Sequence, residues 1–371
     1  MTHDTRWMAL ALQAARKGFP SACPNPLVGC VLVKNGRLVS QGHHRQFGGA
    51  HAEINALKAA RQRAQGATAY VTLEPCSHQG KTPPCTAALI QAGVKEVVYA
   101  LKDPNPLVNG KGARMLKAAG IEVTGGMLES EARAINLPFL SQMTRKRPYV
   151  VLKAAMTLDG KIAYRKGDSR WITGAAARDW THQARSKFDA ILVGAGTVLK
   201  DDPNLTAHGQ GRNPLRVILD PNLRTPLNFK VTHTDEAGTV IVTKNFDKEK
   251  TRAIAMRNIE ILSVDYAHDR FDLHMLMDLL DYKGTQTLLV EGGGKTLASF
   301  LEAGLADELL WFVAPKILGG ATAKTPVEGA GQRIAKAWGC HNLRAVNIGN
   351  DLLLRATTRP NQPLWSLLQR V

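Results

Sequence analysis

The sequence predicts an α/β protein with two domains, and three observations support this fold class. The chain has 371 residues, more than one typical domain of about 150 residues. Short apolar runs typical of strands alternate with stretches of helical period, a pattern that predicts layered sheets with parallel strand pairs. The basic segment 144–150 contains a proline and precedes a fresh strand, so we expect domains at 1–146 and 147–371.

In the first half, apolar periodicity and turn residues define the expected elements. Asn35 and Gly36 follow the first strand and are typical of a hairpin turn. Gly93 is typical of a helix C-terminus. The predicted helices are 4–17, 52–64, 85–93 and 129–143, the predicted strands are 27–33, 67–73 and 94–101, and 112–126 is predicted to hold one further helix and strand.

The second half has the same α/β character but repeats no sequence of the first half. We therefore expect two different folds joined by a short linker. The predicted strands are 148–156, 188–199, 215–220, 238–243, 259–265, 287–294 and 307–315, and the predicted helices are 174–187, 271–283 and 294–303.

Composition and charge disfavour several classes of protein. The net charge of +17 would suit anionic ligands, but the basic residues are scattered and aromatic residues are only 6%, which disfavours a dedicated nucleic-acid surface. No apolar run approaches the ~20 residues that span a bilayer, and the N-terminal stretch resembles an amphipathic helix. We expect a cytoplasmic protein that binds neither nucleic acid nor membrane. Five cysteines suit metal or catalytic use better than a disulfide framework.

The segment 51–85 carries a candidate zinc site. His51, Cys76 and Cys85 supply three ligands, the number that a catalytic zinc takes while a fourth position stays open for water. Glu53 is a nearby carboxylate for moving protons between that water and a leaving amine. This is the H-x-E then P-C pattern of zinc nucleobase deaminases, although eight residues separate the two cysteines here. His78 between the cysteines is a less favoured alternative ligand.

The stretched spacing carries a resemblance to a known family. EPCSHQGKTPPC (74–85), PNPLVG (24–29) and HHRQFGGAHAE (43–53) closely resemble the bifunctional deaminase–reductases of bacterial riboflavin biosynthesis. The resemblance implies a cytidine-deaminase-like three-layer domain that acts on a pyrimidine bearing a ribosyl 5′-phosphate. It implies one zinc ion per chain on the three ligands above, proton transfer by Glu53, and substrate contacts from Asn25, His44, Lys81 and Thr82.

Two glycine-rich stretches of the second half fail the standard nucleotide-binding motifs. GAGTVL (194–199) has Leu199 at the third glycine of a dinucleotide fingerprint, and EGGGKT (291–296) has Leu289 at the first glycine of a P-loop. The second stretch still joins a strand to a helix, whose first backbone N–H groups and dipole favour an anion. With donors from Lys295 and Thr296, it predicts a phosphate or pyrophosphate site.

Residues 147–357 resemble the reductase domain of the same family, through MTLDGKIA (156–163), SRWITG (169–174) and VGAGTVLKDDPNLT (193–206). The resemblance implies a dihydrofolate-reductase-like fold and NADPH as hydride donor. The implied NADPH contacts are Ala155, Trp171, Thr197, Asp201, Thr243, Gly293, Gly294, Lys295, Thr296, Leu297, Ala298 and Ser299. The implied substrate contacts are Ser169, Arg185, Leu205 and Glu291.

The chain departs from the family at one substrate position. The family usually reads DDPxLT-x-Arg, and this arginine helps to hold the substrate phosphate. This chain reads DDPNLTAH, with His208 at the position of the arginine. Either His208 acts as a pH-dependent donor, or Arg212 of the following loop replaces the arginine.

The leading hypothesis is therefore an enzyme with two successive activities. It would deaminate 2,5-diamino-6-ribosylamino-4(3H)-pyrimidinone 5′-phosphate and then reduce the ribosyl group with NADPH, giving 5-amino-6-(5-phosphoribitylamino)uracil. The expected partner is this small phosphorylated pyrimidine, and we expect a homo-oligomer, either a dimer or a tetramer. The alternative is a tRNA base deaminase, which would leave the C-terminal domain without a role.

Overall fold

The computed structural model describes residues 3–77, 84–105, 108–165 and 169–370. The chain forms two compact units, Met1–Arg145 with Trp365–Leu367 and Lys146–Leu364 with Leu368–Val371. The change of unit lies one residue before the boundary that we placed between 146 and 147. Residues Trp365–Leu367 group with the first unit, where Trp365 lies edge-on to Phe19 with ring centroids 6.3 Å apart. No pattern in the sequence predicts that these C-terminal residues group with the first unit.

The first unit contains a five-stranded mixed sheet. Its elements are α1 (His3–Arg16), β1 (Gly29–Lys34), β2 (Arg37–His43), α2 (Ala52–Ala60), β3 (Thr68–Leu73), α3 (Cys85–Gln91), β4 (Glu96–Leu101), α4 (Lys111–Ala118), β5 (Glu122–Gly125), α5 (Glu129–Ile135) and α6 (Leu137–Arg145). The strand order is β2-β1-β3-β4-β5. β1 is antiparallel to both neighbours, and β3, β4 and β5 are mutually parallel.

Helices cover both faces of this sheet because alternate strand residues point to opposite sides. Val31 and Val33 of β1 pack with α1, α5 and α6, whereas Cys30 and Leu32 pack with the alanine-rich face of α2 and with α3 and α4. The result is the expected three-layer arrangement. The hairpin turn at Asn35 and Gly36 is also confirmed, since both residues have positive φ, 51° and 68°.

Two predicted helices are interrupted. The helix predicted at 52–64 ends at Ala60, and a short 3-10 helix, Arg61–Ala64, follows a positive φ at Arg61. The helix predicted at 129–143 is two helices, because the backbone of Asn136 leaves the helical region (φ −115°, ψ 15°) and Pro138 has no N–H to continue the bonding pattern. The Asn136 side chain bonds the backbone of Leu27. Its Oδ1 accepts from the Leu27 N–H at 2.8 Å and its Nδ2 donates to the Leu27 carbonyl at 3.1 Å.

The second unit is built on a nine-stranded sheet. Its main elements are β6 (Tyr149–Thr157), α7 (Ala175–Arg185), β7 (Ala190–Gly194), α8 (Ala195–Asp201), β8 (Leu215–Leu219), β9 (Thr239–Thr243), α9 (Lys248–Ala255), β10 (Glu260–Ser263), β11 (Tyr266–Ala267), β12 (Arg270–Phe271), α10 (Leu273–Tyr282), β13 (Thr287–Val290), α11 (Gly294–Glu302), β14 (Glu308–Ala314), β15 (His341–Ile348) and β16 (Asp351–Thr357). Short 3-10 helices lie at Lys230–Thr232, Ile334–Lys336 and Ser366–Arg370, and β11 and β12 form a separate small hairpin.

The large sheet has the strand order β10-β9-β8-β7-β13-β6-β14-β16-β15. In this spatial order, the first seven strands, from β10 to β14, are mutually parallel. β16 is antiparallel to β14, and β15 is antiparallel to β16. Parallel strands bring all their carboxyl ends to one edge, which is where ligands bind in open α/β sheets. The residues that follow β6, β7, β8, β9 and β13 therefore share one rim.

Two features of the second unit differ from the prediction. The single strand predicted at 188–199 is wrong, because the chain turns at Gly194 and residues Ala195–Asp201 form α8. The apolar run alone could not separate a strand from a buried helical turn. The β15–β16 hairpin at the sheet edge was not predicted at all. Within the described residues, no helix combines the length and apolar character that a membrane crossing demands.

Candidate active sites

His51, Cys76 and Cys85 converge in the first unit. The three possible ligand atoms lie within 4.8 Å of one another, and no other such group of metal-binding side chains occurs in the described part of the chain. The His51 Nδ1 is 3.1 Å from the Cys85 Sγ and 3.5 Å from the Cys76 Sγ. One imidazole and two thiol groups at this spacing suit a tetrahedral zinc ion with one open position.

Secondary structure places the three side chains. His51 is the N-cap of α2, Cys76 lies in the loop after β3, and Cys85 is the first residue of α3. Both helices therefore point their N-termini, and the positive end of their dipoles, at the same point. The Cys85 N–H donates to the Cys76 Sγ at 3.2 Å, which favours a thiolate there.

The pKa values of the two thiols are shifted in opposite directions. Hydrogen bonds from Cys85 and His51 lower the pKa of Cys76 to about 4, despite its burial. The pKa of Cys85 is raised, because it shares its hydrogen with Cys76 and is buried. A thiolate is the form that binds zinc, so the donor set is chemically suited to the metal.

Glu53 lies in the first turn of α2, two residues after His51, and its side chain is only 3% exposed. Burial and the Cys76 charge raise the pKa of Glu53 to about 7. A carboxyl with this pKa can both accept and release a proton near neutral pH, as a proton-transfer group requires. The sequence predicted this role and this position at the helix start.

A second buried carboxylate, Glu74, anchors the segment that carries Cys76. Its Oε2 accepts from the Gly110 N–H at 2.9 Å and its Oε1 accepts from the Ala113 N–H at 3.2 Å. These bonds hold the start of α4 against the chain, and Gly112 is required there because a Cβ would lie 2.0 Å from the Pro75 carbonyl. Sequence reasoning missed Glu74, although it directly precedes the Pro75-Cys76 pair.

Two of the four predicted substrate residues of this unit lie next to the metal ligands. The Asn25 Nδ2 donates to the His44 Nε2 at 3.0 Å, and the His44 Nδ1 then donates to the Ala50 carbonyl at 3.1 Å. The His44 ring lies edge-on to the His51 ring, with centroids 5.6 Å apart. Burial lowers the pKa of His44, so it is a neutral group that orients Asn25. Lys81, Thr82 and the alternative ligand His78 lie outside the described residues.

In the second unit, an ionic cluster whose side chains are 11–16% exposed forms at the rim of the sheet. The Arg185 Nε and Nη2 donate to the two oxygens of Glu291 at 2.8 and 3.0 Å. The Lys153 Nζ lies 3.7 Å from the Glu291 Oε2. Burial alone would raise the pKa of Glu291, but the Arg185 and Lys153 charges hold it at about 2. Burial lowers the pKa of Lys153 against the opposing effect of Glu291.

Strand register explains why Lys153 and Glu291 meet. Leu152 of β6 is paired with Val290 of β13, and the two charged residues come one position later on each strand. They therefore lie on the same side of the sheet at its carboxyl edge. Sequence reasoning identified Arg185 and Glu291 but missed Lys153. A charged residue within an otherwise apolar predicted strand could have revealed it.

The glycine-rich turn after β13 leads into α11 without a side-chain cap. Gly293 is the N-cap of this nine-residue helix, and a Cβ on Gly293 would have open space around it. Gly292 and Gly294 are instead packed closely, since a Cβ would lie 2.7 Å from Thr296 and 2.3 Å from the Thr325 carbonyl. A ligand phosphate can therefore approach the backbone at Gly293, where helix N–H groups favour an anion. These features suit the pyrophosphate of NADPH.

The other predicted NADPH contacts differ in exposure. Thr197 and Asp201 lie on α8 and Ala155 near the end of β6, all partly exposed, and Trp171 is 64% exposed. Leu297 and Ala298 are buried in the core, and the Thr243 hydroxyl is buried in the turn after β9, where it accepts from the Asn245 N–H at 3.0 Å. Lys295 is exposed, while Thr296 and Ser299 are partly exposed.

The predicted substrate residues outside the ionic cluster lie in two loops. The Ser169 Oγ is 3.5 Å from the Lys200 Nζ, and Leu205 is buried with a positive φ of 57°. His208 is exposed in the loop that follows. The Arg212 Nη2 donates to the Asp189 Oδ1 at 2.8 Å, so the alternative cation has a partner of its own.

Two family models match the chain. Residues 148–354 match the model described as RibD C-terminal domain, and residues 1–101 match the cytidine and deoxycytidylate deaminase zinc-binding region. The first match contains the ionic cluster and the glycine-rich turn, and the second contains His51, Glu53, Cys76 and Cys85.

Whole-chain relatives are similar along nearly the full length. The riboflavin biosynthesis proteins RibD of Actinobacillus pleuropneumoniae and of Aquifex aeolicus are each 43% identical over 95% of this chain, and the match covers 94% and 97% of those proteins. The structure of Acinetobacter baumannii RibD matches 96% of this chain and 98% of its own, with 38% identity and a TM-score of 0.86. A deaminase/reductase from Thermotoga maritima matches the same shares, with 37% identity and a TM-score of 0.82.

Proposed function

The chain belongs to the RibD family of riboflavin biosynthesis proteins, and from this premise we propose that its two units catalyse successive steps on one phosphorylated pyrimidine. It is a bifunctional enzyme with a deaminase and a reductase activity, and its cofactors are zinc and NADPH. We assign deamination to residues 1–146 and reduction to 147–371. The observation that carries the proposal is the convergence of His51, Cys76 and Cys85 within 4.8 Å beside the buried Glu53.

In the deaminase unit, His51, Cys76 and Cys85 would hold zinc, which supplies an activated water when bound. Glu53 would take a proton from that water and deliver it to the amino group at C2 of the diaminopyrimidine. The water oxygen would form the new bond to C2 as the C2–N bond breaks, so that ammonia leaves and the ring becomes a uracil. Asn25, oriented by His44, offers its amide to the polar edge of the ring. Lys81 and Thr82 are proposed phosphate ligands on sequence grounds.

In the reductase unit, the turn at Gly293 would hold the pyrophosphate of NADPH, which supplies the hydride. Arg185 and Glu291 would bind the ribosyl chain, together with Ser169 and the loop of Leu205 and His208. Lys153 lies between the predicted NADPH contact Ala155 and the substrate residue Glu291. We propose that its ammonium donates a proton to the linking nitrogen of the opened, imine form of the ribosyl chain as C1′ receives the hydride, so that the C1′=N double bond becomes the C–N single bond of the ribityl product.

The alternative of a tRNA base deaminase is not favoured. Such an enzyme would give no role to the second unit, whereas the RibD relatives match both units over 95% of the chain. The ionic cluster and the glycine-rich turn also suit a small phosphorylated substrate and a dinucleotide better than a nucleic acid.

The proposal is tested by supplying the diaminopyrimidine ribosyl phosphate to the zinc-loaded protein. Ammonia release and NADPH oxidation are followed separately, by coupled assay and by absorbance. We expect ammonia first, then one NADPH oxidised per ammonia released. Ammonia release without NADPH oxidation would refute the reductase assignment. If neither ammonia release nor NADPH oxidation were seen, both assignments would be refuted.

A homo-oligomer is supported by the edge of the second sheet. β15 is the last strand of that sheet and is exposed on both faces, including 66% of Leu343 and 47% of Val346. An exposed edge strand with apolar side chains favours pairing with another chain. We propose that a second copy covers β15, giving a dimer or part of a tetramer.

The oligomer prediction is tested by placing charges on this edge. The double variant Leu343→Glu with Val346→Glu should halve the mass measured by light scattering, from a dimer to the 40.3 kDa monomer or from a tetramer to a dimer. Tyr282→Glu, which charges an exposed site on α10, should leave the oligomer intact. A wild-type chain that is already monomeric at micromolar concentration would contradict the proposal.

A cytoplasmic location is also proposed. The five cysteines are not joined in disulfides, and two of them are the candidate zinc ligands. Thiolate ligands and a reduced nicotinamide cofactor suit a reducing compartment.

A further inference from the structure

Asn136, the residue between α5 and α6, binds both backbone groups of Leu27. Its Oδ1 accepts from the Leu27 N–H at 2.8 Å, and its Nδ2 donates to the Leu27 carbonyl at 3.1 Å. The side-chain amide thus bonds Leu27 as a neighbouring strand does in a hydrogen-bonded antiparallel pair. The partners also fix the orientation of the amide, because the backbone N–H can only donate and the carbonyl can only accept.

Asn136 is itself held firmly. The residue is only 2% exposed, and its Nδ2 also donates to the Ala132 carbonyl at 3.3 Å, in the last turn of α5. Its backbone carbonyl accepts from the Leu140 N–H of α6 at 2.9 Å. Both polar atoms of the side-chain amide therefore have partners, and the amide cannot turn away from Leu27 without leaving buried polar groups unbonded.

Leu27 lies two residues after Asn25, the predicted substrate contact of the deaminase unit, and two residues before β1. Pro24 and Pro26 flank Asn25, and neither has a backbone N–H, so a regular strand ladder cannot hold this segment. The Leu27 N–H is the first backbone donor after Asn25, and it is the group that Asn136 binds. The position of Asn25 therefore depends on how Leu27 is held.

The residues that follow Leu27 have other partners. The Val28 carbonyl accepts from the His44 N–H at 3.0 Å, and the Gly29 N–H donates to the Thr72 Oγ1 at 3.1 Å. These bonds join the chain to the neighbouring strands of the sheet. They remain when the Asn136 amide is removed, so the effect of its removal should be local to the segment before Val28.

We propose that Asn136 is a positioning residue for deamination, whose amide fixes the Leu27 backbone so that Asn25 meets the pyrimidine ring in the conformation that binds it. This inference rests on the proposed deaminase function. Without the amide, the segment 24–27 would populate other conformations, and substrate would bind only the fraction of molecules in which Asn25 is in place. The apparent affinity for the pyrimidine would fall in proportion to that fraction.

The catalytic groups should be unaffected by this change. His51 and Glu53 lie at the start of α2, and Cys85 begins α3, so none of them depends on the segment 24–27 for its position. Once the substrate is bound, the reaction should proceed at the normal rate. The defect should therefore appear in KM and not in kcat.

The test is steady-state ammonia release by the zinc-loaded full chain at pH 8.0. Asn136→Leu keeps the size of the side chain and removes both bonds to Leu27. We expect its KM for the diaminopyrimidine ribosyl phosphate to rise about tenfold, with kcat within about threefold of wild type. Asn136→Asp keeps the acceptor for the Leu27 N–H and loses the donor to the carbonyl, so its KM should rise about threefold. It replaces the leucine variant if that variant does not fold.

Hydrogen exchange followed by mass spectrometry gives a readout that does not depend on activity. The Leu27 amide is bonded only through Asn136 among the contacts of the described residues, so a peptide covering residues 25–29 should exchange at least about tenfold faster in Asn136→Leu. A peptide covering β3 should exchange as in wild type.

Thr68→Val is the matched control. It removes the hydrogen bond from the Thr68 Oγ1 to the Glu96 Oε2, 2.8 Å long, at the end of β3 remote from Cys76. This variant should lower the melting temperature without changing KM, as a merely structural loss would.

The outcomes separate this inference from the function on which it rests. A folded Asn136 variant with the KM of wild type, a loss confined to kcat or to zinc content, or unchanged exchange of the Leu27 amide would overturn the inference alone, provided that wild type releases ammonia. If wild type released no ammonia, the deaminase function would be refuted and the inference with it.

Discussion

Glu53→Gln is expected to slow ammonia release by about 10²- to 10⁴-fold while NADPH-dependent reduction of the supplied uracil intermediate continues. Glutamine keeps the size of the side chain but cannot carry a proton between the water and the leaving amine. Glu53 is 3% exposed and has a pKa of about 7, so no bulk water can replace it easily. The reduction is preserved because the change lies in the other unit.

The measurement combines a single-turnover ammonia assay with zinc content by mass spectrometry. His51, Cys76 and Cys85 are unchanged, so the variant should keep about one zinc per chain. Glu122→Gln, an exposed carboxylate on β5, is the matched control and should retain full activity. A Glu53→Gln enzyme that keeps zinc and deaminates within tenfold of wild type would rule out the proton-transfer role.

Lys153→Met is expected to lower kcat for NADPH oxidation by about 10²- to 10⁴-fold without affecting ammonia release. Methionine keeps an apolar stem of similar length but removes the ammonium, whose Nζ lies 5.7 Å from the centroid of the Phe312 ring. Glu291 keeps its two hydrogen bonds to Arg185, so these two predicted substrate residues stay in place. The loss should therefore fall on kcat, with the KM for the substrate changed by less than about fivefold.

The control for this variant is Lys283→Met, which removes a lysine that pairs with Glu260 at the surface. It should leave both activities unchanged. Thermal unfolding of Lys153→Met checks that the cluster still packs. If kcat stayed within threefold of wild type while the fold was intact, Lys153 would not be the proton donor.

Much of the first site could be predicted from sequence because its residues lie close together in the chain. His51 and Glu53 share one helix start, and the two cysteines flank one loop, so local spacing predicted their convergence. Glu74 could not be found in this way, since its partners Gly110 and Ala113 come from a helix more than thirty residues later.

The second site depended more on tertiary structure. Arg185 and Glu291 were predicted through the resemblance, but their bidentate pair and the position of Lys153 follow from the register of β6 with β13. The stacking of His182 on His208 requires α7 to meet a loop twenty-six residues further along the chain. No local pattern contains that information.

By itself the sequence determined the α/β class and the family, and it predicted a division near residue 146 and a zinc-ligand set with its proton-transfer carboxylate. Local spacing and turn chemistry encode all of these features. Only the tertiary structure decided that α8 follows β7 directly, that the helix predicted at 129–143 breaks at Asn136, that Lys153 meets Glu291, and that Glu74 bonds the start of α4. The physical reason is that strand register and buried hydrogen bonds join residues far apart in the chain, and such contacts leave no periodic trace in it.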